Sequence, residues 1–327
     1  MPRRYINTLA DGESIEEIYL VADKQLRANR NAALYLLVEL RDRTGAISAR
    51  MWNVTEDSVA HVNPGDYVHI RGKVQLYQGA LQMIVSHVQP IPSERLDVTD
   101  FIRQSTLDVG QLTIRLREIL QSITNPHVRA LMDCFLIDEP LIAALQASPA
   151  GAKAHHAYQG GLIEHIVNML EIANRIADLL KGVDRNLLLA GVFLHDLGKV
   201  RELNFTTGCT YTDEGQLLGH LVIAVEMLSA KIDQVEKLMG EPFPAETALR
   251  LKHLIVSHHG AYEFGSPKLP MTPEAIAVHY IDNLDAKVHE FSRDIADDPN
   301  QHASFTPFNA RLDRKLFKGM RTPGEGA

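Results

Sequence analysis

The sequence predicts two domains, a small β-barrel followed by an all-helical domain, and three observations carry that prediction. Residues 1–90 hold short β-compatible runs punctuated by Gly, Pro, Asn and Asp. Near residue 110 the hydrophobic period changes from that of strands to that of helices. Between the two regimes VQPIPSERLD (88–97) carries two prolines and suits an extended connector. The expected boundaries are 1–90 for the barrel, 91–110 for a linker, 111–293 for the helical domain and 294–327 for a polar tail packing on it.

Within the barrel, LYLLVELRD (34–42) and GAISARMW (45–52) are strand-like and separated by Arg43 and Thr44. NPGDY (63–67) is a turn leading into YVHIRGKVQLY (67–77), and Gly79 precedes LQMIVSHV (81–88). Strands this short suggest a closed or partly open barrel. Alternation puts Tyr67, His69, Arg71, Lys73 and Tyr77 on one face, with Val68, Ile70, Val74 and Leu76 on the other. In the preceding run Arg50 and Trp52 share the face opposite Ile47, Ala49 and Met51. A basic face interleaved with aromatics suits single-stranded nucleic acid, because cations track phosphates while rings stack on bases without demanding sequence. The plainer alternative is a solvated strand face with Trp52 closing one end of the core.

Apolar stripes of helical period run through 112–123, 127–145, 161–180, 185–197, 217–239, 247–258 and 273–291. No internal repeat is evident. A tail that is polar and holds Pro and Gly follows, although FTPFNARLDRKLF (305–317) has enough apolar content to pack.

Composition limits the function classes. The 327 residues are 45% hydrophobic and 23% charged, as in an ordinary globular protein. A net charge of −8 argues against coating nucleic acid through bulk positive charge. The imbalance is uneven: residues 1–95 hold 11 Lys and Arg against 11 Asp and Glu, so the whole deficit falls in 96–327. Local balance of this kind predicts weak, salt-sensitive strand capture. Two cysteines, Cys134 and Cys209, cannot build a disulfide framework or a Cys-rich zinc site. With no signal-like leader and no apolar stretch of spanning length, the expectation is a cytoplasmic protein without a membrane partner.

The histidines are more telling. GVFLHDLGKV (191–200) is an apolar run interrupted by His195 and Asp196. An ionised carboxylate in such a place needs a paired charge or a cation. His165 lies on the stripe Leu162, Met169, Ile176; His220 sits near Leu217 and Ala224; His258 follows Leu251 and Ile255; Asp282 follows Ala275 and Val278. By helical spacing each is on or beside the buried side. Five helices therefore aim ligand-type side chains inward. A single histidine on an apolar face is ordinarily a satisfied core residue; the agreement of several points to a divalent cation instead. Imidazole and carboxylate without thiolate disfavour structural zinc and suit Mn, Fe, Co, Zn or Mg. An aspartate beside a histidine can bridge two ions, and a pair about 3.5–4 Å apart activates water for in-line phosphoryl displacement.

The order His165, His195-Asp196, His220, His258-His259, Asp282 resembles the HD superfamily of metal-dependent phosphohydrolases. Longer stretches, HHAYQGGLIEHI (155–166), FLHDLGKV (193–200), YTDEGQLLGH (211–220), SHHGAYEFGSPKLPMTPEA (257–275) and YIDNLDAKV (280–288), are similar to the YhaM-type 3′→5′ exoribonucleases. The similarity covers nearly the whole chain and includes the FTPF tail. It implies an N-terminal all-β OB-type barrel followed by an all-α HD-superfamily helical domain.

Carried over residue by residue, the resemblance implies that His165, His195, Asp196 and Asp282 hold one ion. Asp196 then bridges to a second ion held by His220 and His258, with Mn the expected metal. His259 ligates, donates to a phosphate or orients a neighbour. Lys199 resembles the superfamily lysine that meets substrate phosphate; equally, a lysine after the stop residue Gly198 suits a helix C-terminus. His155 and His156 precede a Gly-Gly pair and are candidates for the cleft rim, or plain loop residues. One departure bears on substrate. Cyclic-dinucleotide phosphodiesterases of the superfamily carry a Gly-Tyr-Pro element after the histidine pair, where this chain reads GAYEFGSPKLP.

The resulting expectation is an exonuclease that shortens single-stranded RNA, or DNA, from the 3′ end to 5′-mononucleotides. Two other readings use the same residues: an HD phosphohydrolase acting on free nucleotides, and a non-catalytic strand-binding protein with a structural HD domain. Oligomeric state is not readable.

Overall fold

The computed structural model describes residues 3–29, 31, 33–77, 80–92, 96–97, 100–101, 107–151, 158–204, 210–296, 298, 303–309 and 311–320. The chain divides into two units, one formed by residues 1–103 with 291–327 and the other by residues 104–290.

The first unit is built on five strands: β1 (Ser14–Ala28), β2 (Leu34–Asp42), β3 (Gly45–Trp52), β4 (Tyr67–Tyr77) and β5 (Ala80–Ile91). They close in the order β1-β2-β3-β5-β4. Closure depends on the length of β1. Its first half pairs with β4 from Ser14↔Lys73 to Leu20↔Tyr67, and its second half pairs with β2 from Leu20↔Arg41 to Ala28↔Leu34. A short parallel pairing of β3 with β5, Ser48↔Gln82 to Arg50↔Ile84, completes the ring. A helix, α1 (Glu56–Val59), with a Thr55–Ser58 capping box, links β3 towards β4. Inward residues such as Tyr19, Leu36, Leu40, Ile47, Ala49, Ile70 and Met83 fill the interior, as expected for a small barrel.

The alternation expected for β4 holds only in part. Val68, Ile70 and Val74 are buried, but Leu76 is 58% exposed. The pairing with β5 slips at Arg71/Gly72, and the core ends at Val74, two residues before Leu76. Tyr67 lies on the expected face yet is only 3% exposed, because Phe101 covers it edge-on at 4.7 Å with Leu20 alongside. It offers no ring to a ligand.

The helical unit contains α2 (Val109–Gln121), α3 (Pro126–Leu136), α4 (Glu139–Ala147), α5 (Gly161–Ile176), α6 (Arg185–Leu194), α7 (Lys199–Glu202), α8 (Asp213–Met239), α9 (Ala245–Ser257) and most of α10 (Pro273–Ala296). A two-stranded ribbon, β6 (Leu203–Asn204) and β7 (Thr210–Tyr211), separates α7 from α8. The expected stripe 127–145 is two helices, because Asp138 caps a fresh start with Pro140 in its first turn. Asp108, Asn125, Asp184 and Thr212 cap α2, α3, α6 and α8 in the same way. One apolar core runs through these helices, with Phe135 and Phe193 edge-on at 5.6 Å near its middle.

Two expectations need correction. By length and composition α8 is apolar enough to cross a membrane. Its backbone breaks at Gly219 (φ +71°, ψ 159°), however, and one face of it, with Ala224, Leu228, Ile232 and Val235, packs into the helical core. The tail was expected on the helical domain, but residues 291–327 group with the barrel. Locally it folds back on itself: Phe305 bridges Phe317, Thr306 N–H donates to Leu316 O at 2.9 Å, and Asp294 at the end of α10 accepts from Asn309 and Arg311.

Candidate metal centre and strand-binding face

The HD dipeptide sits where α6 stops. His195 is the C-cap of that helix, Asp196 follows in the turn, and Lys199 opens α7. The run is buried because Leu187 to Leu194 lie in the core on every side, which carries both polar residues inward. His195 and Asp196 are almost wholly inaccessible to solvent.

Four other elements converge on this turn. From α5, His165 places Nε2 3.3 Å from Asp282 Oδ1 and 3.9 Å from Asp196 Oδ2. His195 Nε2 lies 3.3 Å from Asp196 Oδ2. The other carboxylate oxygen, Oδ1, faces His220 Nε2 of α8 at 3.5 Å and His258 Nε2 at the end of α9 at 3.6 Å. His259 stacks edge-on with His258 at 4.4 Å and lies 5.2 Å from the His220 ring. Ligand-type atoms therefore gather in three groups: His165, His195 and Asp282; His195, Asp196 and His258; His220, His258 and His259. Asp196 stands between the outer two.

Each imidazole is held by its other nitrogen. His195 Nδ1–H donates to Val192 O at 2.7 Å, and His258 Nδ1–H to Ile255 O at 2.8 Å. His165 Nδ1 meets Asp285 Oδ2 at 2.7 Å, and His220 Nδ1 meets Glu202 Oε1 at 3.1 Å. These contacts turn Nε2 of all four rings towards the Asp196–Asp282 centre, and on His195 and His220 that atom has no hydrogen-bond partner among the described residues, the arrangement that ligating histidines adopt. His279 fixes the His258-His259 corner by donating from Nδ1 to His258 O at 2.8 Å. Its ring packs so tightly that a Cβ on Gly260 would lie 2.1 Å away.

The electrostatics suit a cation. Burial by itself would raise the Asp196 carboxyl, but Lys199, His195 and His220 hold it well below the usual range. Asp282 is likewise lowered, the His165 hydrogen bond and nearby imidazoles outweighing burial. Burial pushes His258 and His259 down, to the neutral form that a metal requires. For His165 burial acts downward, yet the hydrogen bonds to Asp282 and Asp285 prevail and raise it to about 9. His195 Nε2, Asp196 Oδ1, His220 Nε2 and His259 Nδ1 are buried with no hydrogen-bond partner among the described residues. Buried polar atoms left so are costly unless something else satisfies them. Nitrogen and carboxylate donors converging on such atoms fit a bound divalent metal.

Lys199 Nζ is occupied within the site, donating to Asp196 Oδ2 and to Ala150 O, both at 2.6 Å. His155 and His156 lie outside the described residues. Sequence reasoning missed Glu202, Asp285 and His279. Asp285 had a signal, since it falls three residues after Asp282 on the same helix.

On the barrel, Arg50, Trp52, Lys73 and Tyr77 are accessible, Trp52 at 42% and Tyr77 at 47%. Arg50 lies 5.6 Å from the Tyr77 ring centre, within cation–π reach. In register, Leu37, Arg50, Ile84 and Lys73 form one lateral row across β2, β3, β5 and β4. Tyr35, which the sequence reading did not single out, pairs with Trp52 in register, with ring centres 4.9 Å apart. The two-residue turn at Arg43-Thr44 fixes that register and was the available signal. His69 and Arg71 both face Glu16, at 3.4 and 2.8 Å, so the Arg71 charge is largely answered within the barrel and His69 already has a partner there.

Comparison with known proteins agrees with both units. Residues 162–287 match the HD domain model, and residues 20–91 match that of an OB-fold nucleic acid binding domain. The 3′-5′ exoribonuclease YhaM of Bacillus subtilis is 35% identical over 86% of this chain and 88% of that protein. The protein of that name from Shouchella clausii is 37% identical over 94% of this chain and 93% of its own length. With the barrel, the helical domain and the histidine–aspartate centre all falling within these matches, the chain belongs to the YhaM 3′-5′ exoribonuclease family.

Proposed function

We propose that the protein is a metal-dependent 3′→5′ exonuclease that shortens single-stranded RNA, and single-stranded DNA as well, releasing 5′-mononucleotides in the cytoplasm. One observation carries the reading: Asp196 presents one oxygen to the His165, His195 and Asp282 side and the other to His220 and His258. Two ions would suit this arrangement, one held by His165, His195, Asp196 and Asp282 and the other by Asp196, His220 and His258. Bound there, divalent ions, with Mn the first choice, supply an activated water and charge stabilisation for displacement at phosphorus.

The protein's own groups do the rest. Asp285, Glu202 and the Val192 and Ile255 carbonyls hold four imidazoles with Nε2 inward, so little reorganisation is needed on binding. Lys199 neutralises Asp196 and, by turning from that carboxylate, reaches the charge of an incoming phosphate. His259, neutral and beside His220, is placed to donate to a phosphate oxygen or to join the second ligand set. Trp52 and Tyr35 offer a stacking surface for bases, with Arg50 and Lys73 as phosphate partners. That face has few unanswered cations, which suits transient strand capture over tight coating.

The test is a time course on 5′-labelled single-stranded RNA with Mn²⁺, resolved nucleotide by nucleotide. A descending ladder that disappears with chelator is expected. An untouched strand together with hydrolysis of free nucleotides would refute the polymer reading. Binding with no turnover under any divalent metal would refute the enzyme reading.

A further inference from the structure

We propose that Glu202 is a positioning residue that controls occupancy of the second of the two metal positions, the one served by His220. The inference rests on the two-ion reading above and goes beyond it. It begins from an asymmetry in the donors. The His165 side owns a carboxylate, Asp282, whereas His220, His258 and His259 form a group of imidazoles only. Its nearest anionic donor is Asp196, which is shared with the other side and tied to Lys199. Neutral imidazoles alone bind a doubly charged ion less strongly than a set including carboxylate, so this position needs negative charge from behind its ligands.

Glu202 is the group placed to give it. Glu202 is 7% exposed, and its Oε1 lies 3.1 Å from His220 Nδ1 while accepting the His220 backbone N–H at 3.0 Å. A single oxygen thereby fixes the ring, its tautomer and the main chain beneath it. The main chain of Glu202 is fixed in turn by α8, since its carbonyl accepts from Thr212 N–H at 2.9 Å and sits against Gly215 with no room for a Cβ. The Gly219 break starts a new helical segment at His220 beside this carboxylate. Among the described residues the contacts of this buried glutamate run to His220 and the α7–α8 junction. A carboxylate behind a histidine raises the basicity of the ligating nitrogen. Asp285 plays the matching part for His165, so each side has one carboxylate-backed imidazole and one carbonyl-backed imidazole.

The experiment measures Mn²⁺ stoichiometry and affinity by calorimetric titration of the full chain, for wild type, Glu202→Gln and Asp285→Asn. Glutamine keeps the shape and the acceptor for His220 N–H, so the substitution removes charge with little change in packing. Expected for wild type are two ions. Glu202→Gln should keep one tight ion and bind the other about 10–100-fold more weakly. Asp285→Asn should instead weaken the tighter ion. Low-temperature electron paramagnetic resonance gives an independent readout, since the exchange-coupled two-manganese signal should be lost from Glu202→Gln at metal concentrations that load wild type. Wild-type affinity at both positions in Glu202→Gln would overturn the inference and leave the two-ion reading standing. Equal weakening of both ions with a lowered melting temperature would also overturn it, by showing a structural role only. A wild type that never takes a second ion would bring down the two-ion reading and this inference together.

Discussion

Replacing Gly198 with alanine tests how closely the HD turn and α8 must approach. Gly198 has φ −61°, an ordinary helical value, so alanine is allowed by the backbone. Gly198 is the N-cap of α7, where alanine caps less well than glycine, so helix propensity offers no gain. The surroundings add a larger penalty. A Cβ at this position would lie 2.1 Å from the His220 carbonyl oxygen, 2.9 Å from its carbon and 3.0 Å from Ala224 N. These are backbone atoms and cannot swing aside, so the shortest of the three must open to at least 3.0 Å by moving α7 away from α8. Forced separation of packed elements costs about 1–3 kcal/mol. The displaced carbonyl belongs to the residue whose Nε2 faces Asp196 at 3.5 Å, so the shift is transmitted to the metal centre. A misplacement of roughly 1 Å at reacting groups costs on the order of 10²-fold in rate. Urea unfolding followed by far-ultraviolet circular dichroism would measure the first effect, and Mn²⁺-dependent hydrolysis of single-stranded RNA the second. A Gly198→Ala protein as stable and as active as wild type would refute the argument from close approach.

Asp196→Asn should reduce hydrolysis by about 10³-fold or more, since metal-dependent charge stabilisation is worth several kcal/mol, while strand binding measured by fluorescence anisotropy stays near wild type. Trp52→Ala should weaken binding of single-stranded RNA by about 1–3 kcal/mol with an unchanged salt slope; Arg50→Ala and Lys73→Ala should each lower that slope by about 0.7. Glu274 is buried, pairs with Arg250 at 2.8 Å and accepts from Asp184 N–H at 2.8 Å. Burial opposes its ionisation, but these hydrogen bonds prevail and its carboxyl is lowered. Its contribution to stability is therefore complete above the unfolded value of about 4.3 and is lost as pH falls towards the lowered folded value. Glu274→Gln should cost about 1–3 kcal/mol at pH 7 and flatten the acid limb of the melting-temperature profile; an unchanged limb would count against it.

The ligand positions were legible because burial and helical period are both written in the sequence. His165, His195, His220, His258 and Asp282 each fall on a stripe of apolar neighbours, and the core that buries those neighbours brings them together. Support of the ligands is harder to read. Glu202 follows Arg201 at the end of a short helix, where an acidic residue looks solvated until the ribbon and α8 fold over it. His279 is one more histidine on a long helix, and only the tight corner at Gly260 reveals what it holds. On the barrel, alternation assigned Arg50 and Trp52 correctly. It failed for Tyr67, covered by Phe101 from beyond the last strand, and for Leu76, which lies past the end of the core. Both depend on contacts or register that one strand does not encode. The tail gave no periodic signal from which its grouping could be deduced.

The inward-facing donors begin at His165 and end at Asp282, with α5, the α6 turn, α8, α9 and α10 all taking part. An ion held by His165, His195, Asp196 and Asp282 would be a reversible cross-link closing a loop of more than a hundred residues, with a second ion tying in α8 and α9. Metal supply then becomes a determinant of the protein's lifetime as well as its activity. Every increment of binding free energy specific to the native state is added to the unfolding free energy. Scarcity of the ion would expose the chain to proteolysis through the same opening that silences it, so the cell would clear inactive copies without a separate signal.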